Sequence, residues 1–204
     1  MTFYAGKLIL HPEALLRLKV RDAYSIHRLI MDLFPATRTL DEQKKGSVSN
    51  GVQWVDRGEH LYGREVLLMS DREPRDLSFP SDVQFAWKAI PEKFFSFDRY
   101  RFSVVVNPVV VRDKKRYPLY SEARISEWFL SRAARRGFEV ESLMVDKIKT
   151  VSFFKDKKQV LFASAYLSGL LTVTDRQLFM RSVALGIGKG RAFGFGFLQL
   201  SPIH

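Results

Sequence analysis

The apolar residues of this 204-residue chain change period in the same order twice, and that doubled pattern limits the fold more than any other feature. Alternation with period two over residues 3–10 predicts a first strand. Ile26, Leu29, Ile30 and Leu33 then recur at helical spacing behind Asp22, a capping residue, and Pro35 ends the helix. Residues 37–51 are polar and read as a loop. Residues 53–57 and 62–69 read as paired strands around Gly58, residues 72–80 as irregular or a degenerate helix, and residues 83–90 as a returning strand.

The second half repeats that order. Residues 101–111 form a β-branched run, which predicts a buried strand, and Ser121 can cap a helix that runs to Arg136 and stops at Gly137. Residues 138–145 and 149–154 are strand-like, residues 155–158 form a turn, and residues 160–173 return as a strand with a bend at Gly169. A last helix starts at Thr174-Asp175 and runs through Leu185, and residues 194–200 complete the pattern as a strand. Two consecutive β-α-β-β-α-β units define an α+β chain of two tandem ferredoxin-like domains, at 1–95 and 96–204.

Charge separates the halves as pattern does not. Residues 1–98 carry 14 Lys/Arg and 14 Asp/Glu, so the whole excess of +11 falls in residues 99–204. Charge placed only for solubility would be scattered; a one-sided basic field is the footprint of a polyanion such as RNA. A composition 46% hydrophobic and 27% charged supports a folded core rather than disorder. The absence of cysteine excludes disulfides and thiolate metal sites. There is no apolar run of the ~20 residues that a membrane helix needs, and the first residues do not read as a signal peptide. The expectation is a cytoplasmic protein without a membrane partner.

Three groups of residues could carry chemistry. Gly186, Gly188, Gly190, Gly194 and Gly196 lie within eleven residues that also hold Lys189 and Arg191, a composition suited to close approach of a phosphate backbone. The loop runs from a helix into a strand, the reverse of a nucleotide-binding P-loop or Rossmann loop. Its Arg191-Ala192-Phe193-Gly194-Phe195 stretch also has the look of an RRM aromatic strand, although too few residues come after it. Tyr24, His27, Arg28 and Met31 form a stripe beside the apolar face of the first helix. An imidazole with a phenol one turn away and a guanidinium adjacent suits proton transfer on a phosphodiester, whereas a lone histidine at a helix edge more often only packs. Basic clusters make up the third group: Lys147, Lys149, Lys155, Lys157 and Lys158 on a hairpin, Arg112, Lys114, Lys115 and Arg116 in another segment, and Arg132, Arg135 and Arg136 on the second-half helix. No clustered carboxylates or histidines suggest a metal site, and no cofactor is expected.

Taken together, these residues resemble the CasE-type endoribonucleases, the CRISPR repeat-processing members of the Cascade complex within the repeat-associated RNA-binding superfamily. The likeness covers nearly the whole chain. It is carried by Gly186-x-Gly188, Arg191, Gly194-x-Gly196, Leu198, Leu200 and Pro202 at the end, and by Tyr24-x-x-His27-Arg28 leading into Leu33-Phe34-Pro35 near the start. Arg101-Phe102 to Asn107-Pro108, and Trp128 to Gly137-Phe138, add to it. The chain departs from the family where Val104-Val105-Val106 stand in place of an arginine before Asn-Pro.

The resemblance implies metal-independent cleavage at the base of a CRISPR repeat stem-loop by 2′-OH attack, leaving 2′,3′-cyclic phosphate and 5′-OH ends. In that scheme His27 transfers a proton to or from the reacting oxygens, Tyr24 positions the histidine or the phosphate, and Lys157 or Lys158 stabilises the phosphorane. Arg28, the basic clusters and residues 188–191 would bind RNA. The partners would be repeat RNA and other Cascade-type subunits, with no DNA required for cleavage. Two other readings stay open on the residues alone: a non-catalytic RNA-binding subunit, and a basic scaffold for an acidic protein.

Overall fold

A computed structural model describes residues 2–37, 50–155 and 158–203. The chain divides into two compact units, Met1–Ile90 and Pro91–His204.

The first unit is a four-stranded sheet of β1 (Tyr4–Leu10), β2 (Val52–His60), β3 (Gly63–Ser70) and β4 (Val83–Ala89), in the order β2-β3-β1-β4 with all neighbours antiparallel. That is the ferredoxin-like order. Helix α2 (Ala23–Asp32) packs on it because Ile26 and Ile30 fall on one stripe and meet Leu8, Leu10, Trp54, Val66 and Leu68 in a fully buried cluster. Each such side chain contributes roughly 1.5–3 kcal/mol on leaving water. Asp22 starts the helix with a reciprocal cap: its carboxylate accepts from Ser25 N at 2.8 Å while Ser25 Oγ accepts from Asp22 N at 3.0 Å.

The first unit departs from the sequence pattern in three places. A short helix α1 (Pro12–Arg17), opened by its proline, precedes α2 and was hidden by its single turn and a half; Arg17 fastens it to Asp82 at 2.6 Å. Gly58 is not in a turn but pairs with Glu65 beside a bulge in β2 at Arg57, with the Gly58 amide donating to Asp56 Oδ1, and the hairpin turns at Leu61-Tyr62 instead. Residues 71–82 contain no helix. Their polar, proline-broken sequence cannot present an apolar stripe, and they are tied instead by Arg75 N to Leu33 O at 2.8 Å. Of the expected loop at 37–51, residues 38–49 lie outside the described residues.

The second unit has the sheet order β10-β5-β9-β8, again antiparallel throughout, from β5 (Arg99–Val106), β8 (Phe138–Lys155), β9 (Lys158–Val173) and β10 (Gln199–Pro202). Helices α3 (Glu122–Ala133) and α4 (Arg176–Leu185) cover one face. Phe102 of β5 stacks on Phe129 of α3 at 5.6 Å, and Tyr100, two residues earlier and so on the same face, meets Phe179 of α4 at 5.5 Å. Residues 91–95 go with this unit, five residues earlier than the sequence boundary. Phe95 is buried, Tyr100 Oη donates to Phe94 O, and Arg176 donates to the carbonyls of Phe95, Ser96 and Phe97.

The sequence pattern misplaced three strand boundaries in this unit. The expected single strand over 101–111 breaks at Asn107-Pro108, because proline cannot donate to the ladder. Past the proline the chain forms a separate hairpin of β6 (Val109–Arg112) and β7 (Lys115–Pro118). The two expected strands at 138–145 and 149–154 are one 18-residue strand, β8, whose bulges at Glu141 and Asp146 disturb the alternation that pattern reading relies on. Pairing of the last strand starts only at Gln199, since residues 194–198 belong to the glycine-rich loop. Across Gly169, where a bend was expected, β9 keeps its register with β5, and the irregularity lies in β8 opposite.

Candidate nucleic-acid interface and active site

Two faces of α2 do different work. Ile26 and Ile30 hold it to the core, which leaves Tyr24 and His27 half-buried, Arg28 exposed and Met31 half-buried along the neighbouring stripe. Asn50 Nδ2 approaches Met31 Sδ at 2.8 Å. The Nδ1 atom of His27 is shielded from solvent. Cap and core packing together fix the ring's backbone anchor, the first requirement of a proton-transfer residue. Tyr24, His27, Arg28 and Met31 all belong to the first unit; every other sequence-predicted site residue belongs to the second.

In the second unit the glycine-rich segment succeeds the C-terminus of α4 as a compact loop. All five of its glycines have positive φ, between 72° and 85°, so the loop uses every one of them, more than an ordinary turn requires. At Gly196 the reason is close packing: its N–H donates to Val105 O at 2.7 Å and its carbonyl accepts from Ile187 N at 2.8 Å, so a Cβ there would run into Ile187 backbone. At Gly188 the crowding is milder, with the Trp128 ring edge 3.3 Å from where a Cβ would stand. Lys189 and Ala192 are exposed at the tip, and Gly188, Gly190 and Arg191 are partly so.

The aromatic residues of the loop do not serve as stacking platforms. Phe193 packs on Phe153 at 4.7 Å and on Phe162 at 5.5 Å, and Phe195 meets Phe162 at 5.4 Å. The RRM-like reading is therefore corrected: these rings fasten the loop to the long β8–β9 arm, and no inner strand presents them.

Arginines secure the other side of the loop. Arg191 Nη1 donates to Leu185 O at 2.6 Å and Arg136 Nη1 to Gly186 O at 3.3 Å, so two cations sit at the carbonyl end of α4, where the helix dipole favours them. Arg132 lies over the Trp128 ring at 4.1 Å and donates to Trp128 O at 3.0 Å, while Trp128 Nε1 donates to Val109 O at the root of the β6–β7 hairpin. Burial, and then the neighbouring arginines, push the Arg132 and Arg136 guanidiniums below their ordinary pKa. Arg132, Arg135 and Arg136 are thus brought together with the glycine loop, and Arg181 of α4 joins them around one depression. Sequence reading missed Arg181. Its signal was the stripe Leu178, Arg181, Ser182, Leu185 at i, i+3, i+4, i+7.

The remaining cations lie on two projections. Asp113 and Lys114 turn the β6–β7 hairpin with φ of 49° and 62°, a two-residue turn that puts exposed Lys114, Lys115 and Arg116 at its tip. Lys147 and Lys149 are exposed on one side of β8, with Lys149 Nζ 5.0 Å from the centre of the Tyr166 ring. Lys155 ends β8 and pairs in register with Lys158, which opens β9; Lys157 lies outside the described residues. Among the described residues no three His, Asp or Glu side chains converge as metal ligands, and no helix is long and apolar enough to cross a membrane.

Two ferredoxin-like units, the second carrying a glycine-rich loop beside an arginine cluster, define a tandem ferredoxin-like protein with a basic loop suited to phosphate. Its sequence matches the CRISPR associated protein family over residues 3–202, and the chain belongs to that family. Within it the chain is similar to the CRISPR system Cascade subunit CasE of Escherichia coli K12, with 23% identity over 90% of this chain and 94% of that protein. Its fold is similar to Thermus thermophilus Cse3 bound to an RNA representing a pre-cleavage complex, with a TM-score of 0.81 and 20% identity over 99% of this chain and 100% of that one. The CRISPR-associated protein Cas6e from E. coli K-12 superposes with a TM-score of 0.73 and 21% identity, over 98% and 100% of the two chains.

Proposed function

We propose that the protein is an endoribonuclease of a Cascade-type complex that binds a CRISPR repeat stem-loop in precursor RNA and cleaves it at the base of the stem without a metal ion. The observation that carries this reading is His27, held half-buried on a capped and core-anchored helix beside Tyr24, in a chain of the CRISPR associated protein family. RNA supplies its own nucleophile, so the protein need only orient it, move protons and balance charge.

In this reading the 2′-oxygen forms a bond to the adjacent phosphorus while the bond from phosphorus to the 5′-oxygen breaks. The 2′-OH gives up its proton and the departing 5′-oxygen takes one. Nδ1 of His27 is shielded from solvent, so in this reading the proton exchanged with one of these oxygens moves through Nε2. Tyr24, one turn earlier, positions the ring or the phosphate, and Lys157 or Lys158 at the end of the β8–β9 arm offsets the charge of the phosphorane. Arg28, the β6–β7 tip, Lys147, Lys149, Lys155 and residues 188–191 bind the RNA backbone, which places the +11 excess on the polyanion.

The test is incubation of the protein with end-labelled repeat RNA in excess EDTA. The expected result is one cut at the base of the stem, with a 2′,3′-cyclic phosphate on the upstream product. A 2′-deoxy substitution 5′ of the scissile phosphate should abolish the cut and leave binding intact. Cleavage of the deoxy substrate, or activity that needs a divalent ion, refutes the mechanism; binding without cleavage makes the protein a non-catalytic RNA-binding subunit.

A further inference from the structure

The most unusual electrostatic feature of the second unit is a depression of about 300 Å³ between the end of α3 and the outer face of α4. Four arginines line it, Arg132, Arg135, Arg136 and Arg181, with Leu178 and Leu185 as apolar wall, and among the described residues no carboxylate takes part in the lining. At ~30 Å³ per water it has room for a phosphodiester group with part of its hydration.

Two of the four are held in place before any ligand arrives. Arg132 is fixed by the Trp128 ring and carbonyl, Arg136 by the Gly186 carbonyl, and Ser182 Oγ donates to Arg136 O at 3.1 Å from across the depression. Arg135 and Arg181 are exposed and complete the rim. The charges acting on Arg132 are those of Arg136 and Arg135, and the charge acting on Arg136 is that of Arg191. Like charges held together in a partly desolvated hollow disfavour the empty state, and an oxyanion removes that conflict. Guanidinium forks fit phosphate oxygens two at a time, which lysines cannot match.

We propose that this arginine-lined depression is a dedicated phosphate-binding site that grips one or two backbone phosphates of the bound RNA, with Arg181 of α4 as an RNA-contacting residue. The proposal rests on the reading of the protein as RNA-binding. The site differs from the diffuse basic field in being pre-shaped, and its specificity is for phosphate geometry rather than base sequence. The chemistry it recognises, a phosphate oxyanion, could also come from a free polyphosphate; RNA is favoured because further cations adjoin the depression on the glycine-rich loop, where Arg191 donates to the carbonyl of Leu185 in the wall and Lys189 is exposed.

The experiment uses the full-length protein and a 2′-deoxy-blocked repeat RNA, with affinity measured against salt concentration. Arg135→Ala with Arg181→Ala should flatten the slope of log K against log salt by about one to two units, at ~0.7–0.9 per phosphate neutralised. Arg135→Lys with Arg181→Lys should keep the slope and weaken binding several-fold, since charge is retained and the two-pronged contact is lost. A series of RNAs with single methylphosphonate linkages should contain one or two positions that weaken the wild type but not the Ala/Ala variant. An identical methylphosphonate profile and slope in both proteins overturns the proposal. So does a flat profile at the depression when calorimetry shows tripolyphosphate binding that depends on Arg135 and Arg181, because the occupant is then a free polyphosphate. Absence of any RNA binding by the wild type instead removes the functional reading beneath it.

Discussion

Replacing Gly196 by alanine should damage the second unit far more than the same change at Gly188, and the structure supplies the difference. Both have positive φ, +85° and +83°, so each alanine incurs the left-handed cost of ~1–2 kcal/mol. At Gly188 the new methyl meets only the edge of the Trp128 ring at 3.3 Å, which can move by a few tenths of an ångström. At Gly196 it meets three backbone atoms of Ile187, a strand of chain that also donates to the Gly196 carbonyl. Relief requires that hydrogen bond to open, and an unsatisfied buried partner adds ~1–3 kcal/mol. The expected destabilisation is therefore about 1–2 kcal/mol for Gly188→Ala and about 2–5 kcal/mol for Gly196→Ala. Urea unfolding followed by the fluorine resonance of 5-fluorotryptophan at Trp128 reports the second unit separately from Trp54 and Trp87. Equal losses for the two variants would refute the close-packing account of the loop.

Two further expectations concern charge. The Arg99 guanidinium, with 2.9 and 2.6 Å contacts, and the Thr172 hydroxyl draw the Glu141 carboxyl down to about 2. A folded value below the ordinary carboxylate range means this bridge stabilises at pH values above that range and loses its effect as pH falls toward 2. Carbon-13 titration of Glu141 should show that depressed midpoint, and Arg99→Ala should raise it; an unchanged midpoint would contradict the assignment. In RNA binding, Lys157→Ala with Lys158→Ala should reduce the salt slope by roughly one to two units, whereas Lys19→Ala with Lys88→Ala in the neutral first unit should change it little. Equal changes would mean a diffuse field and remove the special role of the β8–β9 arm.

Much of the fold was legible because its signals are local. Asp22 and Ser121 mark helix starts, Gly137 marks a stop, and the apolar stripe Ile26–Ile30 needs no knowledge of what it packs against. What was lost depends on distant partners. The bulges at Glu141 and Asp146 break the alternation of β8, so one long strand reads as two. The β6–β7 hairpin merges into a β-branched run because Val109–Arg112 looks the same whether it extends β5 or leaves it. For the site, the glycine spacing pointed to the loop, but not to the anchoring of Arg136 and Arg191 on α4 carbonyls. The stripe of Leu178, Arg181, Ser182 and Leu185 put Arg181 on one face of α4, but only the folded unit sets that face beside the end of α3.

The central claim is that His27 moves a proton in RNA cleavage, and the most direct measurement is the single-turnover rate of His27→Ala on repeat RNA, with the affinity measured alongside. General acid–base catalysis contributes roughly 10²–10⁴-fold, so the variant should lose that much rate while binding the stem-loop nearly as tightly as the wild type. Circular dichroism should show the fold retained, because Ile26 and Ile30, not His27, anchor α2 in the core. Cleavage at the wild-type rate would contradict the account.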